Sequence, residues 1–376
     1  MSNINIPEYV QSLDPYKPGN QRQNVKFRDD VKMVFSLASN ENPLGTSHNV
    51  IESLNNCIND FNLYPDPSST ELVNLIASRY NKKPSQVVCG HGSESLMAHI
   101  VNAFSDVNTR VLTSMGTFAG IYVKTHKIGR KLNRVPLKDY GYDLEGILAR
   151  IHDNTRIIYI SNPNNPTGSM IGKDEFEWFI SQVPENILIV LDEAYTVYAV
   201  EHEGYFDGLE YDLPNLLVLQ TLSKTHGLAG LRVGYAIGPE ELIQTLYKVK
   251  LPFEPSLIAQ KAAVAAFNDH KYVNETMRLN RISLNMMMDT FDNLGINYIK
   301  PKANFIMLVF NDAQFVQDFC EHTHEHGISV RNCKPFGLAN CVRISSSTEI
   351  QTEYACQVFH HVYSELIEKY KSIGKK

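Results

Sequence analysis

Leu216-Leu217-Val218-Leu219-Gln220-Thr221-Leu222-Ser223-Lys224-Thr225-His226-Gly227-Leu228-Ala229-Gly230-Leu231-Arg232-Val233-Gly234-Tyr235 is the stretch from which the rest of the chain is best read. The apolar run Leu216 to Leu219 reads as a buried strand, and a hydroxyl and an amine, Ser223 and Lys224, stand just beyond it. A lysine leaving a buried strand is costly to desolvate as a cation, and forming an imine with an aldehyde is one way for it to become neutral. The nearby serine and threonines, with Arg232 following among small residues, suit a phosphate. These residue types together point to a lysine bound to a phosphorylated aldehyde, that is, to pyridoxal 5′-phosphate.

Outward from this stretch, similar short apolar runs recur: Val87-Val88, Val111-Leu112, Ile157 to Ile160 and Ile187 to Leu191. Amphipathic segments such as Lys173 to Gln182 lie between several of them, and from Ser69 a stripe of Leu72, Leu75, Ile76 and Tyr80 has helical spacing. Continuous apolar strands alternating with helices predict an α/β fold: a large domain whose mostly parallel sheet is covered by helices on both faces. The rhythm breaks near Leu251-Pro252-Phe253-Glu254-Pro255. A helical run from Ser256 to about Asn293 follows, long enough for more than one helix or one bent helix. Strands at Phe305–Phe310, Ile328–Arg331 and Val342–Ile344, with helices near Ala313–His324 and Glu349–Lys369, predict a smaller α+β domain. The first forty residues, broken at Pro15 and Pro18-Gly19, read as an arm. The expected division is an arm at 1–42 contributing to the small domain, a cofactor-binding domain at 43–253 and a small domain at 254–376.

In open α/β sheets, ligands collect at the carboxyl ends of the strands. Three successive strand ends here carry unusual polar residues. Ser161-Asn162-Pro163-Asn164-Asn165-Pro166-Thr167-Gly168 follows the first, Asp192-Glu193-Ala194-Tyr195 the second, and the lysine segment the third. Singly, each is ordinary turn or capping chemistry. In this order, ending in Ser-Lys, chance does not account for them.

With these motifs the chain resembles a fold-type I pyridoxal-phosphate aminotransferase of the class I/II group, which has the aspartate aminotransferase-like fold; the matching segments run from Leu37 to Ser345. The resemblance implies a role for each residue. Lys224 would hold the cofactor as an imine and then shuttle the α-proton. Asp192 would pair with the pyridine nitrogen, so that the ring acts as an electron sink. Tyr195 and Asn165 would hydrogen-bond the phenolic oxygen, and Ser223 and Arg232 would bind the phosphate. Gly92-Ser93-Glu94 adds backbone N–H groups at a helix N-terminus. Phe118 falls where the family stacks an aromatic ring, most often a tyrosine, on the cofactor.

Further segments resemble the histidinol-phosphate aminotransferase family: Leu13-Asp14-Pro15-Tyr16-Lys17-Pro18-Gly19, Ser39-Asn40-Glu41-Asn42-Pro43 and Tyr64-Pro65-Asp66-Pro67. This likeness implies a homodimer in which Tyr64 reaches the partner's cofactor phosphate. It also implies that Arg343 grips a substrate carboxylate, that Arg331 and Tyr16 bind a substrate phosphate, and that Asn42 belongs to the substrate site. The implied reaction is transamination between histidinol phosphate and 2-oxoglutarate. Threonine-phosphate decarboxylation, an aromatic or broad-range aminotransferase, and a non-catalytic cofactor-binding relative stay open at this point.

The formal net charge of −6 speaks against nucleic acid as partner. Six cysteines without paired metal spacing, no secretory pattern and no membrane-length apolar run predict a cytoplasmic protein without a membrane partner. Glu321-His322-Thr323-His324-Glu325-His326 reads as a solvated helix end and not as a metal site, Met286-Met287-Met288 as core filling, and His91 has no assigned role.

Overall fold

The computed structural model describes residues 4–13, 27–29 and 31–372. Its strands are β1 Phe35–Ser36, β2 Val87–Gly90, β3 Arg110–Ser114, β4 Lys131–Val135, β5 Thr155–Ser161, β6 Leu188–Asp192, β7 Leu216–Thr221, β8 Gly234–Ile237, β9 Asn297–Ile299, β10 Phe305–Val309, β11 Ile328–Ser329, β12 Arg331–Asn332 and β13 Cys341–Ser345. Seven of them form the central sheet in the order β2-β8-β7-β6-β5-β3-β4. All are parallel to one another except β8, which runs antiparallel to both β2 and β7.

The side chains of the central strands alternate between two apolar layers, as the two-residue period of a strand requires. Ile158, Ile160, Ile189, Leu191 and Val218 join one core, and Ile157, Tyr159, Leu188, Val190, Leu217 and Leu219 join the other. Both faces are therefore buried, which is why these strands read as unbroken apolar runs. The helix Thr70–Arg79 covers the first layer through Leu72, Val73 and Ile76. The helix Gly92–Phe104 covers the second through Leu96, Met97, Ile100 and Val101. The expected helix Lys173–Gln182 has those bounds and buries Phe176 and Phe179.

The helical run after Ser256 is two helices, Leu257–Phe267 and His270–Leu294. The Ser256 side chain caps the first and the Asp269 side chain the second. Ala259, Ala262, Ala263, Ala266 and Phe267 pack into the first layer of the large sheet, whereas Leu284, Met287 and Phe291 belong to a separate core. The changeover between these two cores falls inside the second helix.

That separate core backs the four-stranded antiparallel sheet β12-β13-β10-β9. The helices Ala313–Glu325 and Glu349–Ser372 pack on it, and Leu37 of the arm inserts into it. The segment Ile328–Arg331 is not one strand. β11 pairs with β1, β12 pairs with β13, and Val330 lies between them. Among the described residues, no helix is long and apolar enough to cross a membrane.

Candidate active site

Register places the three polar strand ends side by side. Ser161 pairs with Asp192, and Asp192 pairs with Leu219, so the loops after β5, β6 and β7 leave the sheet together. A cavity of about 330 Å³ opens above them and is closed on its far side by β12, β13 and residues 38–41. Lys224, Asp192, Tyr195, Asn165, Ser223, Arg232, Ser93, Glu94, Phe118, Arg331 and Arg343 all line it.

Lys224 lies at its floor, with Nζ 3.2 Å from the Ser39 carbonyl and 5.8 Å from the centre of the Tyr195 ring. Burial, and then the Arg343 charge, lower its pKa to about 8 against the pull of Glu41 and Asp192. The amine is thereby brought close to the range in which it can be both nucleophile and base.

Asp192 is 3% exposed, and burial pushes its carboxyl up to about 6. Two donors oppose that push: the Tyr159 hydroxyl at 2.7 Å from Oδ2 and the Ala194 amide at 3.1 Å from Oδ1. A buried carboxylate so placed is completed by a cationic or N–H partner arriving from the cavity.

The Tyr195 hydroxyl accepts hydrogen bonds from the side-chain amides of Asn40 at 2.9 Å and Asn165 at 3.3 Å. Asn165 Oδ1 in turn accepts from Arg343 Nη1 at 2.5 Å, and Arg343 Nη2 donates to the Ala38 carbonyl at 2.6 Å. Arg343 is 5% exposed, its Nε has no partner, and it sits 5.3 Å over Phe305. Directly opposite in register, Arg331 also has a buried Nε without a partner, and its guanidinium lies 5.6 Å from the Phe336 ring. Two guanidiniums on facing strands, each with an unused donor, define a wall suited to anions.

At the opposite end, the helix Gly92–Phe104 directs its first N–H groups at the cavity. The approach leaves no room for side chains. A methyl group on Gly234 would collide with the Ser93 backbone nitrogen, and one on Gly92 (φ +75°) would lie 2.8 Å from Arg232 Nη2. Arg232 itself holds a left-handed backbone (φ 53°) and anchors Nη1 on the Ala229 carbonyl at 3.2 Å. Behind this cup, Glu254 Oε1 accepts from the His91 amide at 2.6 Å and from the Ser95 hydroxyl, and Oε2 lies 2.9 Å from His99 Nε2. Burial would raise the Glu254 carboxyl, but these donors hold it down at about 2. His91 thus contributes its backbone amide to the mounting of the cup.

Three expected site residues are not among those lining the cavity. Asn42 turns its amide away, onto the carbonyls of Lys224 at 3.2 Å and Thr225 at 3.1 Å and onto Thr276 Oγ1 at 3.0 Å. Its amide thereby ties the arm to the lysine loop, adding a donor to the Lys224 carbonyl, which also accepts from the Gly227 amide at 3.1 Å. Tyr64 is 81% exposed and stacks on Phe253 at 4.4 Å. Tyr16 lies outside the described residues. Asn40 and Phe336 also line the cavity and Tyr159 holds Asp192 from behind, three residues to which the sequence reading gives no role. The available signals were the hydroxyl of Tyr159 among isoleucines and the place of Asn40 in the Ser39–Pro43 segment.

The profile of the family described as aminotransferase class I and II matches residues 32–359. The chain belongs to this family. Among relatives of this aminotransferase, the histidinol-phosphate aminotransferase of Caldicellulosiruptor saccharolyticus is 38% identical over 345 residues, covering 91% of this chain and 95% of that one. Histidinol-phosphate aminotransferase 2 of Pseudomonas aeruginosa is 37% identical over 341 residues, or 89% and 91% of the two chains. The solved histidinol-phosphate aminotransferase from Sinorhizobium meliloti, in complex with pyridoxal-5′-phosphate, superposes with a TM-score of 0.87 at 27% identity, covering 96% and 98%. Thermus thermophilus aspartate aminotransferase, at 20% identity and a TM-score of 0.81, shares the fold. The aminotransferase described here has a donor set that fits such a cofactor: a low-pKa amine, a buried carboxylate, and a backbone cup with an arginine for the phosphate.

Proposed function

We propose that this aminotransferase exchanges an amino group between histidinol phosphate and 2-oxoglutarate, giving imidazole-acetol phosphate and glutamate. The observation that carries the reading is the Arg331–Arg343 pair, two guanidiniums in register on one cavity wall, each with an unpaired Nε. Arg343 takes the carboxylate of glutamate, and Arg331 takes a second anion, which only a phosphorylated or dicarboxylic substrate offers. The names of the relatives point the same way.

Pyridoxal 5′-phosphate, when bound, supplies an aldehyde carbon that an amine can join and a ring that accepts electrons from the substrate's α-carbon. Lys224 would hold it through Nζ, and the same Nζ, free of the cofactor, would take up and return the α-proton. Asp192 presents its carboxylate to the ring nitrogen, and Tyr195 and Asn165 present donors to the phenolic oxygen. Ser223, Arg232 and the N–H groups of Ser93 and Glu94 hold the phosphate. Phe118 would stack on the ring; a phenylalanine supplies the stack without a hydroxyl. Each turnover is two half-reactions through one site, in a ping-pong order.

The same reading makes the protein a cytoplasmic homodimer, with an arm, a large domain and a small domain. Exposed Phe61, Leu63, Tyr64 and Leu251, next to the Tyr64–Phe253 stack, supply an apolar face for a second copy. On this reading the exposed Tyr64 reaches across to the partner's phosphate cup.

Side-by-side rates with histidinol phosphate, threonine phosphate and phenylalanine test the assignment. Arg331→Ala should reduce the rate on histidinol phosphate by roughly a hundredfold, the scale of a lost charge-assisted pair, and spare phenylalanine. Equal losses on both would remove the phosphate assignment. Carbon dioxide release without oxo-acid formation would remove transamination.

A further inference from the structure

The histidine tract at the end of the helix Ala313–Glu325 does not lie free in solvent. His326 caps that helix and is 8% exposed, and the Tyr354 hydroxyl holds its carbonyl at 3.1 Å. Its ring meets the edge of the His361 ring at 5.2 Å. His361 and Glu365 stand one turn apart on the C-terminal helix, with Nε2 and Oε1 3.3 Å apart. One ligand atom from each of His326, His361 and Glu365 falls within 4.8 Å of the other two.

We propose that His326, His361 and Glu365 form a binding site for a divalent transition metal, zinc in the first instance, that ties the end of one small-domain helix to the C-terminal helix. Two imidazoles and a carboxylate are the nitrogen and oxygen donors that zinc, cobalt(II) and nickel(II) prefer. The His361–Glu365 spacing already matches a tetrahedral edge, since ligands about 2.0 Å from zinc stand roughly 3.3 Å apart. The third ligand is the rigid one. The backbone of His326 is fixed by the helix end and Tyr354, while the two exposed side chains are free to close on it. Three protein ligands leave a fourth position for water, so the site binds reversibly and exchanges with the medium.

The location gives the ion a consequence. Gly327 follows His326, β11 follows Gly327, and Arg331 stands five residues beyond the metal ligand on the cavity wall. The arm packs against this connection, since the Phe35 amide donates to the Gly327 carbonyl at 3.0 Å. An ion at His326 therefore stiffens the chain that leads to the second anion-binding arginine.

Cofactor-loaded, metal-stripped protein titrated with ZnCl2 in a calorimeter, and with CoCl2 by absorbance, tests the site. The expected result is one saturable equivalent with micromolar affinity, a rise of several degrees in the thermal midpoint, and cobalt bands of a four-coordinate site. His361→Ala and Glu365→Gln, both at exposed positions, should each weaken binding roughly tenfold or more, whereas His322→Ala should leave it unchanged. Absence of saturable binding in the parent overturns the proposal. So does binding that His361→Ala leaves intact, because the metal would then sit elsewhere, on the free cysteines or in the active site.

Discussion

The Tyr159 hydroxyl on β5 donates to Asp192 Oδ2 on the adjacent β6 across 2.7 Å, with both side chains buried. The bond stabilises the charged carboxylate where burial would neutralise it, and so keeps Asp192 able to meet a protonated ring nitrogen. Tyr159→Phe should raise the Asp192 pKa above about 6. It should also weaken cofactor binding by tenfold or more, since a hydrogen bond to a charged group contributes about 1.5–3 kcal/mol. Fluorescence titration of the stripped protein with pyridoxal 5′-phosphate measures this, and an unchanged dissociation constant would assign Tyr159 to packing alone.

Lys224→Ala should leave a folded protein without the visible absorbance band of the lysine-bound cofactor. Turnover should fall by roughly a thousandfold or more, the combined effect of losing attachment and the proton carrier. An absorbance scan of the cofactor-saturated variant checks the first claim and a coupled assay the second. A parent protein with no such band would refute the central assignment.

Glu193 points away from the cavity, accepting from the Gly208 amide at 2.7 Å and from Gln220 Nε2 at 3.0 Å. Burial, and then the charge of Asp207, push its carboxyl up to about 8. In an unfolded chain it would titrate near 4.3, approximately. Between those values the folded chain holds a proton that the unfolded chain has released, so this group makes stability fall as pH rises through the window. Glu193→Gln removes the titration. The variant should gain on the parent in thermal midpoint between pH 5 and pH 9, and parallel curves would show that Glu193 does not titrate there.

Gly234→Ala tests the close approach of β8 to the cup. The new methyl meets backbone atoms, the Ser93 nitrogen and the Gln220 carbonyl, so the helix must retreat. Overpacking of this kind costs about 1–3 kcal/mol. The cofactor should be lost more readily than the fold, with phosphate affinity falling before the thermal midpoint does. A crystal structure with Ser93 in its original place would contradict the account.

The doubly buried strands β5, β6 and β7 were legible in the sequence because both faces are apolar, and their polar ends marked the cavity floor. β4 escaped notice because Lys131 to Val135 lies at the sheet edge, where half-exposed polar residues hide the pattern. β8 escaped because it is short and opens on glycine. Phe336 reaches the site by tertiary contact from the turn before β13, which no local pattern announces, whereas Asn40 sits in the Ser39–Pro43 segment but its meeting with Tyr195 is tertiary. The Asn42 amide goes to the Lys224 and Thr225 carbonyls, a tertiary meeting that the Asn-Pro dipeptide does not announce.

The break at Val330 gives the arm and the anion wall a common fate. On one side of this residue the chain is laced to Phe35 and Ser36, and on the other to Arg343 and Val342. A single residue of slack separates the two seams. A displacement of Phe35 and Ser36 would therefore be felt at Arg331, and a restraint on Arg331 would be felt at Phe35 and Ser36. Phe35 and Ser36 are in this sense moored one residue away from the strand that carries Arg331.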